Sequence, residues 1–276
     1  MRLSLWRVIS ELPETRASLL HVLLKKQDVF MLLTWIVGFS LIGSIGAIIL
    51  AGAYLLFPEG IRQILILCLI SYATGTLLGA AFLGLLQHAL EHAPAASILS
   101  TVLVGILAFF LLEKIVIWRH CHNAECEKHA TAGILLLIGD ALHNFIDGIA
   151  IAAAFVASIP IGMTTALAVF AHEFPQEVGD FAILLESGYS RRRALVYNML
   201  SSLSTLPGAV LAYYFLMEVQ EFTANIMALS AASFIYIAIA DLIPSLHRQS
   251  DLKHAVSQFV FIIAGIGTIL LFHMGK

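Results

Sequence analysis

Two short motifs concentrate the chemistry of this chain. One reads His143-Asn144-Phe145-Ile146-Asp147-Gly148, the other His172-Glu173-Phe174-Pro175-Gln176-Glu177-Val178-Gly179-Asp180. Each lies inside an otherwise apolar run, from Thr131 to Ala157 and from Met163 to Leu185. An aspartate at the centre of a membrane span costs roughly 2.5–3.5 kcal/mol on insertion scales. A chain that keeps several such groups in two neighbouring runs is using them. Imidazole, carboxylate and amide oxygen gathered in one dry place are suited to a divalent metal ion.

On a helix, positions i, i+3, i+4 and i+7 share a face. That spacing aligns Asp140, His143, Asn144 and Asp147 in one stripe, and His172, Glu173, Gln176, Glu177 and Asp180 in another. Lipid offers such groups no partner, so both stripes must turn inward. His143 and His172 fall near the middle of their runs, the depth at which transporters hold a substrate. Pro175 lacks an N–H and is expected to loosen the helix beside His172, while Gly148 and Gly179 are expected to admit close neighbours. A single buried His or Asn is usually a packing residue, and a metal-free proton relay is another use of such groups. Two full stripes favour a metal site.

The elements that carry these residues must be membrane helices. Hydrophobic residues make up 60% of the 276 and charged residues 12%, half the share of a soluble domain, so the chain is an all-α polytopic membrane protein. A net charge of −3 excludes a basic nucleic-acid binder. Eight runs reach the length of about 20 residues that a crossing needs, near 29–57, 63–90, 95–118, 131–157, 161–186, 192–217, 223–246 and 255–274. Residues 1–28, with no long apolar core, read as an interfacial amphipathic segment, and 29–276 as the eight-span domain. The links after the odd-numbered spans carry Arg62; Lys114, Arg119 and Lys128; Arg191, Arg192 and Arg193; Arg248 and Lys253, and the other links carry no Lys or Arg. The positive-inside rule therefore puts both termini outside, against the basic character of the N-terminal segment itself.

The paired motifs resemble those of the ZIP (Zrt/Irt-like) divalent metal transporters, HNFxDG in the fourth span and HEφPHEφGD in the fifth, where φ is apolar. Gly105–Lys114 looks like that family's third span and Phe234–Pro244 like its seventh, so the likeness covers everything after residue 28. It implies eight spans with both termini outside and a midplane site for two metals. His143, Asp147, His172 and Gln176 would form the main site, and Asn144, Asp147, Glu173 and Gln176 would form or border a second; Glu177 and Asp180 are secondary candidates on the same stripe. Gln176 departs from the usual His or Glu, and an amide is a weaker zinc ligand than imidazole. The family's D-A-F-x-H-x-x-P-E run in the second span is replaced by Ala80-Ala81-Phe82-Leu83-Gly84-Leu85-Leu86-Gln87-His88. His88, Glu91 and His92 are candidates to receive metal at the outer mouth instead.

The loop at 119–130 gathers His120, Cys121, His122, Cys126 and His129, a density of soft donors suited to Zn²⁺, though not at zinc-finger spacing. It reads as a cytoplasmic landing site for ions leaving the pore. The expected function is import of Zn²⁺, or of Fe²⁺, Mn²⁺ or Cd²⁺, into the cytoplasm across the plasma (inner) membrane, by a protein that is not an enzyme and uses no catalytic cofactor. Its partners are the metal ion and the lipid bilayer, and the reading admits a homodimer. The chain holds no G-x-x-x-x-G-K-[ST] run for ATP. The rival is an intramembrane zinc metallo-hydrolase, because His172-Glu173-x-x-Gln176 is one residue from H-E-x-x-H.

Overall fold

The computed structural model describes residues 29–121, 128–248 and 251–274, and every regular element among them is helical. The helices are α1 (Val29–Tyr54), α2 (Glu59–His92), α3 (Ala95–Cys121), α4 (Lys128–Ala157), α5 (Ile159–Glu186), α6 (Arg191–Glu218), α7 (Gln220–His247) and α8 (Leu252–Met274). Seven of them contain a stretch long and apolar enough to cross a membrane; α5 does not. Length is not the reason, since its 28 residues extend about 42 Å. The polar residues of the second motif, His172, Glu173, Gln176, Glu177 and Asp180, dilute its apolar character.

Short breakers separate the helices. Ser158 caps α5 by accepting from the Ile161 N–H at 3.4 Å, with Pro160 in the first turn, where its missing N–H costs nothing. Gly188, at φ +87°, turns the chain after α5 in a conformation that other residues resist. Pro175 lies inside α5 without ending it. Three helices widen into a π-helical turn, at Ile42–Gly46 in α1, Ala80–Leu85 in α2 and Ala238–Leu242 in α7. Such turns commonly mark functional regions, and those of α1 and α2 pack against α5.

The described residues fall into two units, 29–35 and 36–274. In the first, the Thr34 hydroxyl donates to the Phe30 carbonyl at 2.8 Å. Within the second unit, α4 packs on α5 and on the Thr205–Glu218 half of α6, α2 packs on α8, and α3 packs on α7. Glycines set the tightest approaches. A Cβ at Gly148 would strike the Thr205 carbonyl of α6, and one at Gly208 would strike the Phe145 carbonyl of α4. Gly75 of α2 and Gly265 of α8 are matched in the same way against Ile262 and Tyr72. With lipid outside, close van der Waals packing replaces the hydrophobic drive between helices. The expected close neighbour is present at Gly148 and absent at Gly179, which is exposed with nothing within 4 Å of a Cβ. Large apolar side chains such as Leu103, Leu107, Phe259 and Ile263 point outward from α3 and α8, while the polar stripes of α4 and α5 are turned in.

Candidate metal centre

The helical register brings four side chains from two helices together. His143 and Asp147 stand one turn apart on α4, and His172 and Glu173 follow each other on α5. One ligand atom from each lies within 4.8 Å of all the others. The two Nε2 atoms are 3.1 Å apart. Asp147 Oδ2 is 3.1 Å from His172 Nε2 and 3.8 Å from His143 Nε2, and Glu173 Oε1 is 3.5 and 3.3 Å from the same nitrogens. Asp147, His172 and Glu173 are buried, and only His143 keeps an exposed edge, at 21% of its side chain.

These spacings suit a four-coordinate ion. Zinc bonds to nitrogen and oxygen are about 2.0–2.1 Å, so neighbouring ligands of a tetrahedron stand about 3.3–3.4 Å apart. Two Zn–N bonds spanning the 3.1 Å between the imidazoles would subtend roughly 98°, close to tetrahedral. The tautomer is also favourable: His172 Nδ1 lies 2.9 Å from the Ala168 carbonyl, so an N–H there leaves the Nε2 lone pair facing its partners. Neither carboxylate oxygen of Asp147 or Glu173 accepts a hydrogen bond. Burying anionic oxygens without donors is costly unless a cation meets them.

Asn144 and Gln176 stand beside this group, joined to another residue. Both donate their side-chain amides to Asp140 Oδ1 at 3.0 Å, and the Thr205 hydroxyl donates to Asn144 Oδ1 at 3.0 Å. Glu177 accepts from the Asn198 amide, which also donates to the Glu177 carbonyl at 3.3 Å. Asp180 is buried farther along the same stripe of α5. His88, Glu91 and His92 form a separate cluster at the end of α2. Of the loop cluster, His122 and Cys126 lie outside the described residues, as does the 1–28 segment, and His120, Cys121 and His129 are described only as helical backbone at the ends of α3 and α4.

A third polar stripe went unread in the sequence. Asn198, Ser201, Ser202 and Thr205 on α6 are all buried and follow the same i, i+3, i+4, i+7 spacing as the two motifs. They supply the partners of Glu177 and Asn144, and Ser204 donates to the Ala141 carbonyl of α4. The signal was present as spacing, but it lacks ionisable residues. Phe234 of α7 gave none; it meets the His172 ring edge-on, 6.2 Å between centroids.

The sequence profile described as "ZIP Zinc transporter" matches residues 117–273, more than half of the chain and both motifs. Zinc transporter ZIP10 of Danio rerio is 39% identical over 149 residues, which cover 51% of this chain and 18% of that protein. Zinc transporter ZIP13 of Pongo abelii is 34% identical over 221 residues, 75% of this chain and 66% of the relative. Human zinc transporter ZIP4 is 38% identical over 135 residues, 49% of this chain and 20% of the relative. The matched segment is thus about a fifth of the length of ZIP10 and ZIP4. The chain belongs to the ZIP zinc transporter family.

Proposed function

We propose that this protein carries zinc, or a closely related divalent metal ion, across the membrane into the cytoplasm. The observation that carries the reading is the convergence of His143, Asp147, His172 and Glu173 inside a bundle of apolar helices. The names of the zinc transporters that it resembles point the same way. In this reading α5 is the eighth crossing, stable in lipid because its polar stripe faces α4 and α6. Both termini lie outside, following the distribution of Lys and Arg.

Ion passage follows from ligand chemistry. A metal ion arriving at the site needs neutral imidazoles and ionised carboxylates, so it displaces protons as it binds. His143, the one partly exposed ligand, is where the ion exchanges water for protein. Movement of the α4–α5–α6 group against the helices around it would open the site to each side in turn. A second ion would lie on the Asp140 side. There the Gln176 amide, its N–H held by Asp140, keeps an oxygen for coordination, and Asn144 and Glu173 stand beside it.

The metallo-hydrolase alternative needs Glu173 as a general base held back from the metal. Glu173 Oε1 instead stands 3.3 and 3.5 Å from the two imidazole nitrogens, in the position of a ligand. Proteoliposomes containing the purified chain and a zinc-sensitive dye decide the matter. Zinc-dependent signal with no peptide cleavage by the same preparation is expected, and cleavage without uptake would reverse the conclusion.

A further inference from the structure

We propose that His88, Glu91 and His92 form a separate binding site for a divalent transition-metal ion at the C-terminal end of α2. The three residues occupy positions i, i+3 and i+4 of one helical face, and one ligand atom from each lies within 4.8 Å of the other two. The His88 and His92 rings stack with centroids 4.0 Å apart, which holds the two imidazoles side by side. His92 Nδ1 lies 2.8 Å from the His88 carbonyl. An N–H donated there fixes the tautomer that leaves Nε2 as a lone-pair donor, the support that metal-bound histidines ordinarily have.

Position strengthens the case. With 34 residues, α2 extends about 51 Å, well beyond a hydrocarbon core of about 30 Å, which leaves room for its polar last turn outside lipid. The unpaired carbonyls of a helix C-terminus favour a cation. Glu91 and His92 are exposed, so an ion arrives without crossing a barrier. Two imidazoles and a carboxylate select zinc-like ions over Mg²⁺ or Ca²⁺. Three protein ligands leave a fourth position to water, the arrangement of an exchanging site rather than a closed structural one. The cluster shares no residue with the central four. It belongs to the end of the bundle whose links carry no Lys or Arg, the outer end under the orientation above. There it would raise the concentration of metal at the mouth.

Equilibrium dialysis of the full chain in detergent against Zn²⁺, with bound metal measured by mass spectrometry, tests this. The His88→Gln/His92→Gln variant is expected to bind one Zn²⁺ fewer per chain than the parent. Glu91→Gln should keep that ion with several-fold weaker affinity. The His143→Ala/His172→Ala variant should retain the α2 ion, which makes the result independent of the central site. Should the double variant fail to fold, the exposed His92→Gln alone serves, with at least tenfold weakening of one site expected. A binding isotherm that is unchanged in the α2 variants overturns the inference, whatever the central pair does.

Discussion

Gln176 of α5 donates its side-chain amide to Asp140 of α4 at 3.0 Å, sharing the same carboxylate oxygen with Asn144. The pair ties the two motif-bearing helices together next to the candidate ligands. A histidine at 176 would exchange this amide for an imidazole, a better zinc ligand and a bulkier one. Gln176→His is expected to tighten zinc binding about tenfold and slow its release, read as a lower zinc concentration for half-maximal uptake and a lower maximal rate. Gln176→Leu, which keeps the volume and removes the donor, leaves Asp140 short of a partner in a buried place, at about 1–3 kcal/mol. An unchanged selectivity and affinity in Gln176→His would mean that residue 176 serves only to hold Asp140.

His143→Ala and His172→Ala each remove one of four converging ligands. Uptake by either variant is expected to fall at least tenfold while the protein still reaches the membrane, because the helices are held mainly by packing elsewhere. His172 should be the more damaging of the two, since it is buried and its ring is fixed by the Ala168 carbonyl and Phe234. Initial rates at several zinc concentrations, normalised to protein inserted, make the comparison. Near-normal rates in both variants would remove the site from the pathway.

The stripes of α4 and α5 were legible because ionisable residues in apolar runs recur at helical spacing. That pattern fixes which face turns inward, and Asp140, Asn144, Asp147, His172, Glu173 and Glu177 are all buried. It does not fix which stripe residues meet. Asn144 and Gln176 carry the same spacing signal as His143 and His172, yet Asp140 holds them, a choice made by side-chain length and helix contact. The Gly148–Gly208 contact needed knowledge that α6 lies on α4, which no local pattern supplies. Gly179 was misread for the same reason: a glycine admits a neighbour only where one exists. The pairing of Glu177 with Asn198 was equally hidden, because it depends on where the break in α6 at Leu203 and Ser204 aims the preceding turn.

Acid should weaken zinc binding at the centre. Both imidazoles must be neutral and both carboxylates ionised to hold the ion, so each proton that returns competes with it. As pH is lowered, affinity is expected to fall by up to about tenfold per pH unit for each histidine that takes up a proton. Calorimetry in buffers of different ionisation enthalpy checks the sign, with net proton release on zinc binding expected. Proton uptake on binding would contradict the ligand set.

The two glycines make a paired test of packing. Gly148→Ala places a methyl group against the Thr205 backbone, which cannot yield without moving α6. A loss of about 1–3 kcal/mol is expected, with lower uptake because the stripe of α4 shifts with it. Gly179→Ala meets open space. It should be neutral or raise stability by up to about 1 kcal/mol through helix propensity alone. Thermal denaturation in detergent ranks the two variants, and equal effects would mean that the α4–α6 approach is looser than the contact implies.

Whether α5 crosses the membrane is decided at its two ends. The exposed Ile159 begins the helix and the exposed Arg192 follows it. Cysteines placed singly at these positions in a Cys68→Ser, Cys121→Ser, Cys126→Ser background should react with an impermeant maleimide from opposite sides, Ile159→Cys from outside and Arg192→Cys from the cytoplasm. The argument is energetic. A helix about 42 Å long that ended midway would leave backbone groups unpaired in hydrocarbon, and one lying along the surface would turn its buried stripe away from α4 and α6. Labelling of both from the same side would exclude α5 as a span and leave seven crossings. Labelling from opposite sides with the sense reversed would keep the site and invert the direction of transport.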